Sequence, residues 1–346
     1  MSAQRNVKNC ISCQASAGGV RILLRVLAPL LLQLACLLHH GFVMGHGAAG
    51  SGPALVESAD AVGAARERKL AVVLAVMLVA ITVVATAYQE SLARRFGPPA
   101  VTMQEAYKKT RGPSFDQSVF SELVSRHVDD AGWVGYQAFR KDADKLDRYI
   151  ETVAGAPFAD LGRDEKLALL INGYNAFTLR LILDYWSERE LESIKDIPAD
   201  KRWADARWEI GGHTWSLDQI EHKQIRPKFK EPRVHFALVC AAIGCPPLRT
   251  EAYVADRIDA QLEDQARYVH NHETWFHFEA QKNVAYLTPL YKWYRSDFVQ
   301  VAGSVLKYAS RYSPEIEQSL DRGRSPKIKW LEYDWGLNSK RNKRPR

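Results

Sequence analysis

The sequence predicts a single α+β globular domain with a mainly antiparallel sheet, a buried central helix and flanking helices, preceded by an N-terminal membrane segment. Three observations predict it. From about residue 114 the apolar residues switch between helical and strand spacing. Arg163 to Trp186 (RDEKLALLINGYNAFTLRLILDYW) is apolar on nearly every side after an acidic first turn, the pattern of a helix buried on most sides. Leu70 to Ala87 (LAVVLAVMLVAITVVATA) runs for eighteen residues without a charge, long enough for a helix to cross a bilayer.

Composition fits a packed core. Of 346 residues, 47% are hydrophobic, 10% aromatic and 25% charged, which excludes a disordered or collagen-like chain. Five cysteines are too few for a disulfide-dense mini-protein. The formal charge of +7 sits at the ends: residues 1 to 69 carry 7 basic and 3 acidic groups and residues 340 to 346 carry 5 basic ones, leaving about −2 between them. A near-neutral body with basic ends belongs to membrane flanks and a solvated tail, and no nucleic-acid partner is expected.

Val26 to Leu38, thirteen apolar residues broken by Pro29 and Gln33, has signal-peptide length. Arg66, Arg68 and Lys69 precede Leu70 and keep that end cytoplasmic, so residues 88 to 346 are exported. The expected location is the cell (inner) membrane, single-pass, with the lipid bilayer as the partner of residues 70–87. Ala85-Thr86-Ala87 is also a cleavage pattern, so the stretch reads as a retained anchor or as a signal peptide whose start codon lies downstream, near Met44. A two-span reading with a cytoplasmic domain stays open, because Arg5, Lys8, Arg21, Arg25, Arg94 and Arg95 outnumber the three positive charges of the loop. Residues 1–69 read as a largely disordered extension and linker, Gly/Ala/Ser-rich from 44 to 64. Cys10 and Cys13 form a lone C-x-x-C without a second pair and read as unstructured thiols.

The globular domain is expected over 110–338, followed by a basic tail, 339–346. Lys141 to Ala154 places Leu146, Tyr149, Ile150 and Val153 on one helical face. Gly211-Gly212, between Trp208-Glu209-Ile210 and His213-Thr214-Trp215, is a hairpin turn. Arg233 to Cys240 (RVHFALVC), apolar and led by Pro232, reads as a central strand buried on both faces. Ala255 to Asn271 repeats Ile258, Leu262, Ala266 and Val269 at helical spacing, and Trp275 to Glu279 with Val284 to Leu287 forms a second hairpin. Thr288-Pro289 opens the helix that carries Tyr291, Trp293 and Tyr294. Lys340 to Arg346 has no apolar residue and is expected to be disordered and dispensable.

Three clusters carry candidate chemistry. Asn172 and Asn175 in INGYNA are three apart, so their carboxamides leave one helical face. Unpartnered, a buried amide costs about 1–3 kcal/mol; the pair either ties the helix to its neighbours or, with Tyr174, faces a substrate. In HFALVCAAIGCPPL a regular strand puts Cys240 and His235 on opposite faces, while Cys245 follows a turn that returns it toward His235. Cys245 is therefore the candidate nucleophile and His235 its base, since a paired imidazole lowers a thiol pKa. A Cys240/Cys245 disulfide stabilising by roughly 2 kcal/mol, or two inert thiols, are the alternatives. In LDQIEH, Glu221 orients an imidazole or acts as acid/base and His222 serves as base; a helix cap or solvated face is the other reading. C-x-x-x-x-C lacks the further ligands of a zinc site, and no P-loop, G-x-G-x-x-G, G-x-S-x-G or H-E-x-x-H occurs, so neither metal nor cofactor is expected.

INGYNAF at Ile171, IEH at Ile220, HFALVCAAIGCPPL at His235, LYKWYRSDF at Leu290 and YDWGLN at Tyr333, in this order, resemble the domain-of-unknown-function family 547 over about 110 to 338. The resemblance implies no assigned activity. It implies that bacterial members are commonly exported or lipid-anchored and that plant members end leucine-zipper chains; this chain has a long N-terminal extension without zipper heptads. The order of buried helix, hairpin and His-bearing strand is loosely similar to papain-like and transglutaminase-like folds, in which the helix carries the nucleophilic cysteine; here it carries Asn172 and Asn175. Two functions are thus expected: a thiol-dependent hydrolase or transferase using Cys245, His235 and Glu221, or a non-catalytic cell-envelope binding or scaffold module with a disulfide. Either way Asn172, Asn175, Glu221, His235 and Cys245 are expected to meet in one polar pocket.

Overall fold

The helix expected from Arg163 is the axis around which the domain is built. In the computed structural model, which describes residues 63, 66, 69–78, 80, 81, 97–186 and 191–344, the chain divides into two units, Met1–Val83 and Val84–Arg346. In the first unit, Leu70, Val72, Leu74, Val76, Leu78 and Ile81 are exposed helical residues. Among the described residues no helix is long and apolar enough to cross a membrane. The Cys10/Cys13 pair, Val26 to Leu38, most of the linker and the Ala85-Thr86-Ala87 pattern lie outside the described residues.

The second unit is mixed α and β. Helices α1 (Ser118–His127) and α2 (Ala143–Ala154) lie before α3 (Arg163–Tyr185), whose residues from Lys166 to Leu179 are all buried. The amphipathic face of α2 buries Leu146, Tyr149 and Val153 in the same core as α3. Hairpin β1 (Trp208–Ile210) and β2 (His213–Trp215) pairs Trp208 with Trp215 and Ile210 with His213. Gly211 and Gly212 turn it at φ +56 and +76, the left-handed region that glycine enters freely, and their N–H groups donate to Val153 O and Ala154 O at the end of α2.

Helix α4 (Ile258–His270) leads into a second sheet of β3 (Phe276–Glu279), β4 (Val284–Leu287) and β5 (Lys327–Trp330). β3 and β4 are antiparallel, but β5 runs parallel to β4, reached through helices α5 (Arg295–Ala302), α6 (Val305–Ala309) and α7 (Pro314–Asp321). A parallel neighbour requires such a crossover. Phe236, Trp275, Tyr291, Phe298 and Tyr308 form a second apolar core beneath these elements.

Arg233 to Cys240 is not a strand. Pro232–Phe236 is a turn of 3-10 helix with proline at its start, capped by the Glu231 side chain accepting from the Arg233 N–H. The burial was read correctly, since Val234, His235, Phe236, Ala237, Leu238 and Val239 are all buried. What replaces the ladder is a set of side chains: Asn175 Nδ2 donates to Ala237 O, Val239 N–H donates to Asn175 Oδ1, and Gln265 Nε2 donates to Phe236 O. Buried backbone groups need partners, and polar side chains supply them as well as a sheet does. With no strand here, the similarity to papain-like and transglutaminase-like element order is lost.

Both ends of the domain extend past the expected limits. Before residue 110, Met103 is buried and the N–H groups of Gln104 and Ala106 donate to Pro227 O and Lys228 O. At the other end, the tail expected to be disordered docks. Lys340–Asn342 forms a 3-10 turn, Lys340 N–H donates to Val134 O at 2.9 Å, and Lys343 pairs with Asp129 at 2.8 Å.

Candidate functional site

Leu217–Gln219 begins a helix capped by Ser216, whose hydroxyl accepts from Gln219 N–H. It continues as a π-helical turn, Ile220–Ile225, in which Arg226 N–H donates to Glu221 O five residues back. Single π-turns of this kind concentrate at functional sites. The wider turn carries Glu221, His222 and Arg226.

Arg226 and Asp297 form a fully buried, two-pronged ion pair, Nε to Oδ2 at 2.7 Å and Nη2 to Oδ1 at 3.0 Å. His235 from the 3-10 turn adds a third contact, Nε2 to Asp297 Oδ2 at 2.9 Å. Burial raises the Asp297 carboxyl, yet the hydrogen bonds from His235 and Arg226 win and hold it well below the usual range. Burial lowers His235 from its ordinary value against the pull of Asp297, so the ring is neutral at pH 7. With Asp297 accepting the Nε2 proton, Nδ1 carries the lone pair; it is buried, without a hydrogen-bond partner among the described residues, and 4.0 Å from Glu221 Oε1. Tyr294 stacks on the ring at 3.7 Å, and burial together with the charge of Glu221 raises its hydroxyl well above the usual value.

The second part of the site is a loop. Cys240 is partly exposed; the next residue, Ala241, is held at φ +61, a strained conformation for a residue with a Cβ. The chain then turns back, Cys245 N–H donating to Ala242 O at 3.1 Å. The C-terminal segment pins the loop: Ile243 N–H donates to Gly336 O, Gly244 N–H to Asp334 O, and Asn338 N–H to Ala241 O. Gly244 is required by this approach, because a Cβ there would lie 2.8 Å from Asp334 N.

The two thiols are free. The Cys245 side chain, the Tyr333 hydroxyl at 3.1 Å and the Ala242 N–H together draw the Cys240 thiol below its usual value, against burial and the charge of Glu221. Burial pushes Cys245 well above its usual value. Cys245 Sγ also accepts from Cys240 N–H at 3.3 Å and donates to Leu238 O at 3.5 Å. Glu221 joins the two parts, since its charge acts on Cys240, Tyr174 and Tyr294.

The sequence clusters therefore meet in a different arrangement from the one expected. Glu221, His235 and Tyr174 enter the polar cluster. Asn172 and Asn175 instead grip backbone: Asn172 Nδ2 donates to Tyr253 O at 2.7 Å and its Oδ1 accepts from Tyr253 N–H at 2.9 Å, the same two-way contact that Asn175 makes. Cys245 makes no hydrogen bond to His235 among the described residues; the ring is engaged by Asp297 and Tyr294. His222 Nδ1 lies 3.2 Å from Arg226 Nη1. Sequence reasoning missed Arg226, Asp297, Tyr294 and Tyr333, although charged Asp297 within the aromatic LYKWYRSDF was a visible signal.

Among the described residues no group of three His, Cys, Asp or Glu side chains is placed to hold a metal ion. A cavity of about 360 Å³ borders the pinned loop through Ile243, Asp334 and Gly336, with neither cysteine in its lining. Residues 158–268, about a third of the chain, match the family model described as Protein of unknown function, DUF547. No curated protein and no solved structure matches the chain. The matched segment holds Tyr174, Glu221, Arg226, His235 and Cys240, while Tyr294, Asp297 and Tyr333 lie beyond it.

Proposed function

We propose that the domain is a thiol-dependent hydrolase or transferase whose nucleophile is Cys240, in the role first read onto Cys245. The observation that carries this reading is the contrast between the two thiols. Cys240 is partly exposed and its thiol is drawn below its usual value beside the Tyr333 hydroxyl at 3.1 Å, whereas Cys245 is 3% exposed and held protonated by burial. Attack of the Cys240 sulfur on an acyl-type carbon forms a covalent intermediate, which water or a second acceptor then cleaves. Glu221, buried 4.0 Å from His235 Nδ1, is the acid/base that moves a proton to the leaving group and from the incoming nucleophile. His235, Asp297 and Arg226 act as positioning residues behind it.

The accompanying proposal is that residues 70–87 attach the chain to a lipid bilayer with the domain outside the cytoplasm. It is supported by the uncharged run and by the exposure of Leu70, Val72, Leu74, Val76, Leu78 and Ile81, a surface that water does not favour.

Iodoacetamide alkylation of the reduced full-length chain, followed across pH with peptide mapping, tests the nucleophile. Cys240 is expected to react with a midpoint below that of an ordinary thiol, about 8.5, and Cys245 to react slowly at every pH. Slow reaction of Cys240, or faster reaction of Cys245, replaces this reading with a binding module.

A further inference from the structure

We infer that Cys240 and Cys245 are an oxidation site, a sulfur attacked by hydroperoxide and the resolving thiol that closes it as a disulfide. This inference rests on the same exposed thiol as the proposed function but requires no acyl chemistry. Its geometric basis is the four-residue loop Ala241 to Gly244, which returns buried Cys245 to partly exposed Cys240 and leaves Cys245 Sγ 3.3 Å from the Cys240 backbone N.

Three features favour bridging over irreversible oxidation. The first is access: Cys240 is partly exposed and Cys245 buried, so an oxidant meets Cys240 first. The second is a fixed backbone. Ala241 is in the left-handed conformation, and Ala241, Ile243 and Gly244 are bonded to residues 334–338, so the turn that brings Cys245 Sγ to the Cys240 backbone is held in place. The third is proximity. A sulfenic acid formed beside a thiol condenses with it before a second oxidant molecule arrives, which keeps the sulfur on the reversible part of the oxidation series.

The chemistry balances. The Cys240 thiolate attacks one oxygen of ROOH, the O–O bond breaks, and the alkoxide leaves as ROH after taking a proton; sulfur is oxidised by two electrons and the peroxide reduced by two. The Cys245 thiol then attacks the Cys240 sulfenic sulfur, the S–O bond breaks, and water leaves with the thiol proton. An external dithiol reverses the bridge by exchange. When the bridge forms, the Tyr333 hydroxyl loses its thiol acceptor beside Trp293 and Trp335, whose ring centres lie 4.8 and 4.7 Å from that of Tyr333.

The test uses the reduced full-length chain treated with hydrogen peroxide, then alkylated and digested with trypsin. Both cysteines fall in one tryptic peptide, Val234 to Arg249, so the bridge makes it lighter by two hydrogens and unalkylated. That product, its return to the doubly alkylated form after dithiothreitol, and a dimedone-trapped sulfenic acid on Cys240 in Cys245→Ser are the expected results. Sulfinic acid on Cys240 of the unaltered chain without the bridge overturns the inference, as does equally fast oxidation of Cys245 in Cys240→Ser. The two readings fail separately. Fast alkylation of Cys240 with no bridge sinks only the oxidation site; a peroxide-formed bridge in a chain whose Cys240 alkylates no faster than an ordinary thiol sinks only the nucleophile.

Discussion

Replacing Asn175 with alanine removes a clamp from the backbone that leads into Cys240. The carboxamide donates to Ala237 O at 3.0 Å and accepts from Val239 N–H at 2.9 Å, and all three residues are buried. Truncation leaves a carbonyl and an N–H without these partners where water does not reach. Each orphaned group costs about 1–3 kcal/mol, so the pair sums to about 2–6 kcal/mol, and local relaxation places the expectation near 3 kcal/mol. For a domain of this size about 1 kcal/mol shifts the melting temperature by roughly 2–4 °C, so Asn175→Ala is expected to melt roughly 6–12 °C lower. Asn172→Ala frees the same kind of N–H and C=O pair at Tyr253 and is expected to fall in the same range. The two variants should part on a second readout. Val239 is the residue before Cys240, so Asn175→Ala also slows Cys240 alkylation, whereas Asn172→Ala leaves it near that of the unaltered chain. Thermal unfolding of the full-length chain followed by near-ultraviolet circular dichroism, with alkylation rates at a temperature where each variant is folded, measures both. A melting shift under about 2 °C for Asn175→Ala refutes the clamp and returns the side chain to a substrate-facing role.

Three further outcomes follow from other parts of the molecule. Asp297→Asn keeps the shape but leaves the fully buried Arg226 without its counter-charge; a loss of about 3–5 kcal/mol in denaturant unfolding is expected, and a loss below about 1 kcal/mol would mean the pair is solvated. His270 donates from Nδ1 to Ala266 O and accepts at Nε2 from Tyr291, and burial lowers its pKa to about 4. Because the unfolded chain titrates near 6.5 and so binds the proton more readily, this stability is whole above about pH 6.5 and drains as pH falls toward 4, by about 3 kcal/mol; His270→Gln should flatten that part of the pH–stability curve. Truncation after Asn338 removes buried Ser339 and leaves Val134 O without the Lys340 N–H, so the melting temperature should drop by more than about 2 °C, and an unchanged value would show that the docked tail adds nothing.

Where sequence and structure agree, the signal is local. The apolar length of Arg163–Tyr185 announces a buried helix because no face is left for water, and Gly211-Gly212 announces a hairpin because few other residue pairs accept that turn. The misreading of Arg233 to Cys240 has an equally physical cause. A continuous apolar run reports burial, and burial without alternation does not distinguish a strand from a turn whose backbone is satisfied by remote side chains. Here those side chains, Asn175 and Gln265, come from two different helices. The pairing of Asp297 with Arg226 was illegible for a related reason: a charged residue reads as surface from sequence, even one set among aromatic residues as Asp297 is, until an opposite charge from another segment is found 2.7 Å away. The tail misled because its charge suggested solvation, while its docking rests partly on the Lys340 backbone N–H, which side-chain composition does not report.

Each segment that carries the site departs from regular backbone. The π-turn at Ile220–Ile225, the 3-10 turn at Pro232–Phe236 and the left-handed Ala241 lie on the elements that carry Glu221, His235 and Cys240. A regular helix through Glu221 would bond its carbonyl four residues on; the π-turn bonds it to Arg226, five on, and inserts a residue into the turn that carries Glu221. A regular strand through His235 would oppose it to Phe236 across a sheet; the 3-10 turn instead lets His235 reach Asp297 while Phe236 enters the second core. Each departure forgoes part of a regular backbone ladder, and each is stabilised by a specific partner: the Arg226–Asp297 pair, the Glu231 cap, and the bond from Asn338 N–H to Ala241 O. Conflict between local preference and final structure, held in place by fixed contacts, is the pattern expected where geometry serves chemistry. It follows that the reactivity of Cys240 depends on residues that never touch a substrate, and that loosening Asn175 should weaken it with the thiol, Tyr333 and Glu221 all still present.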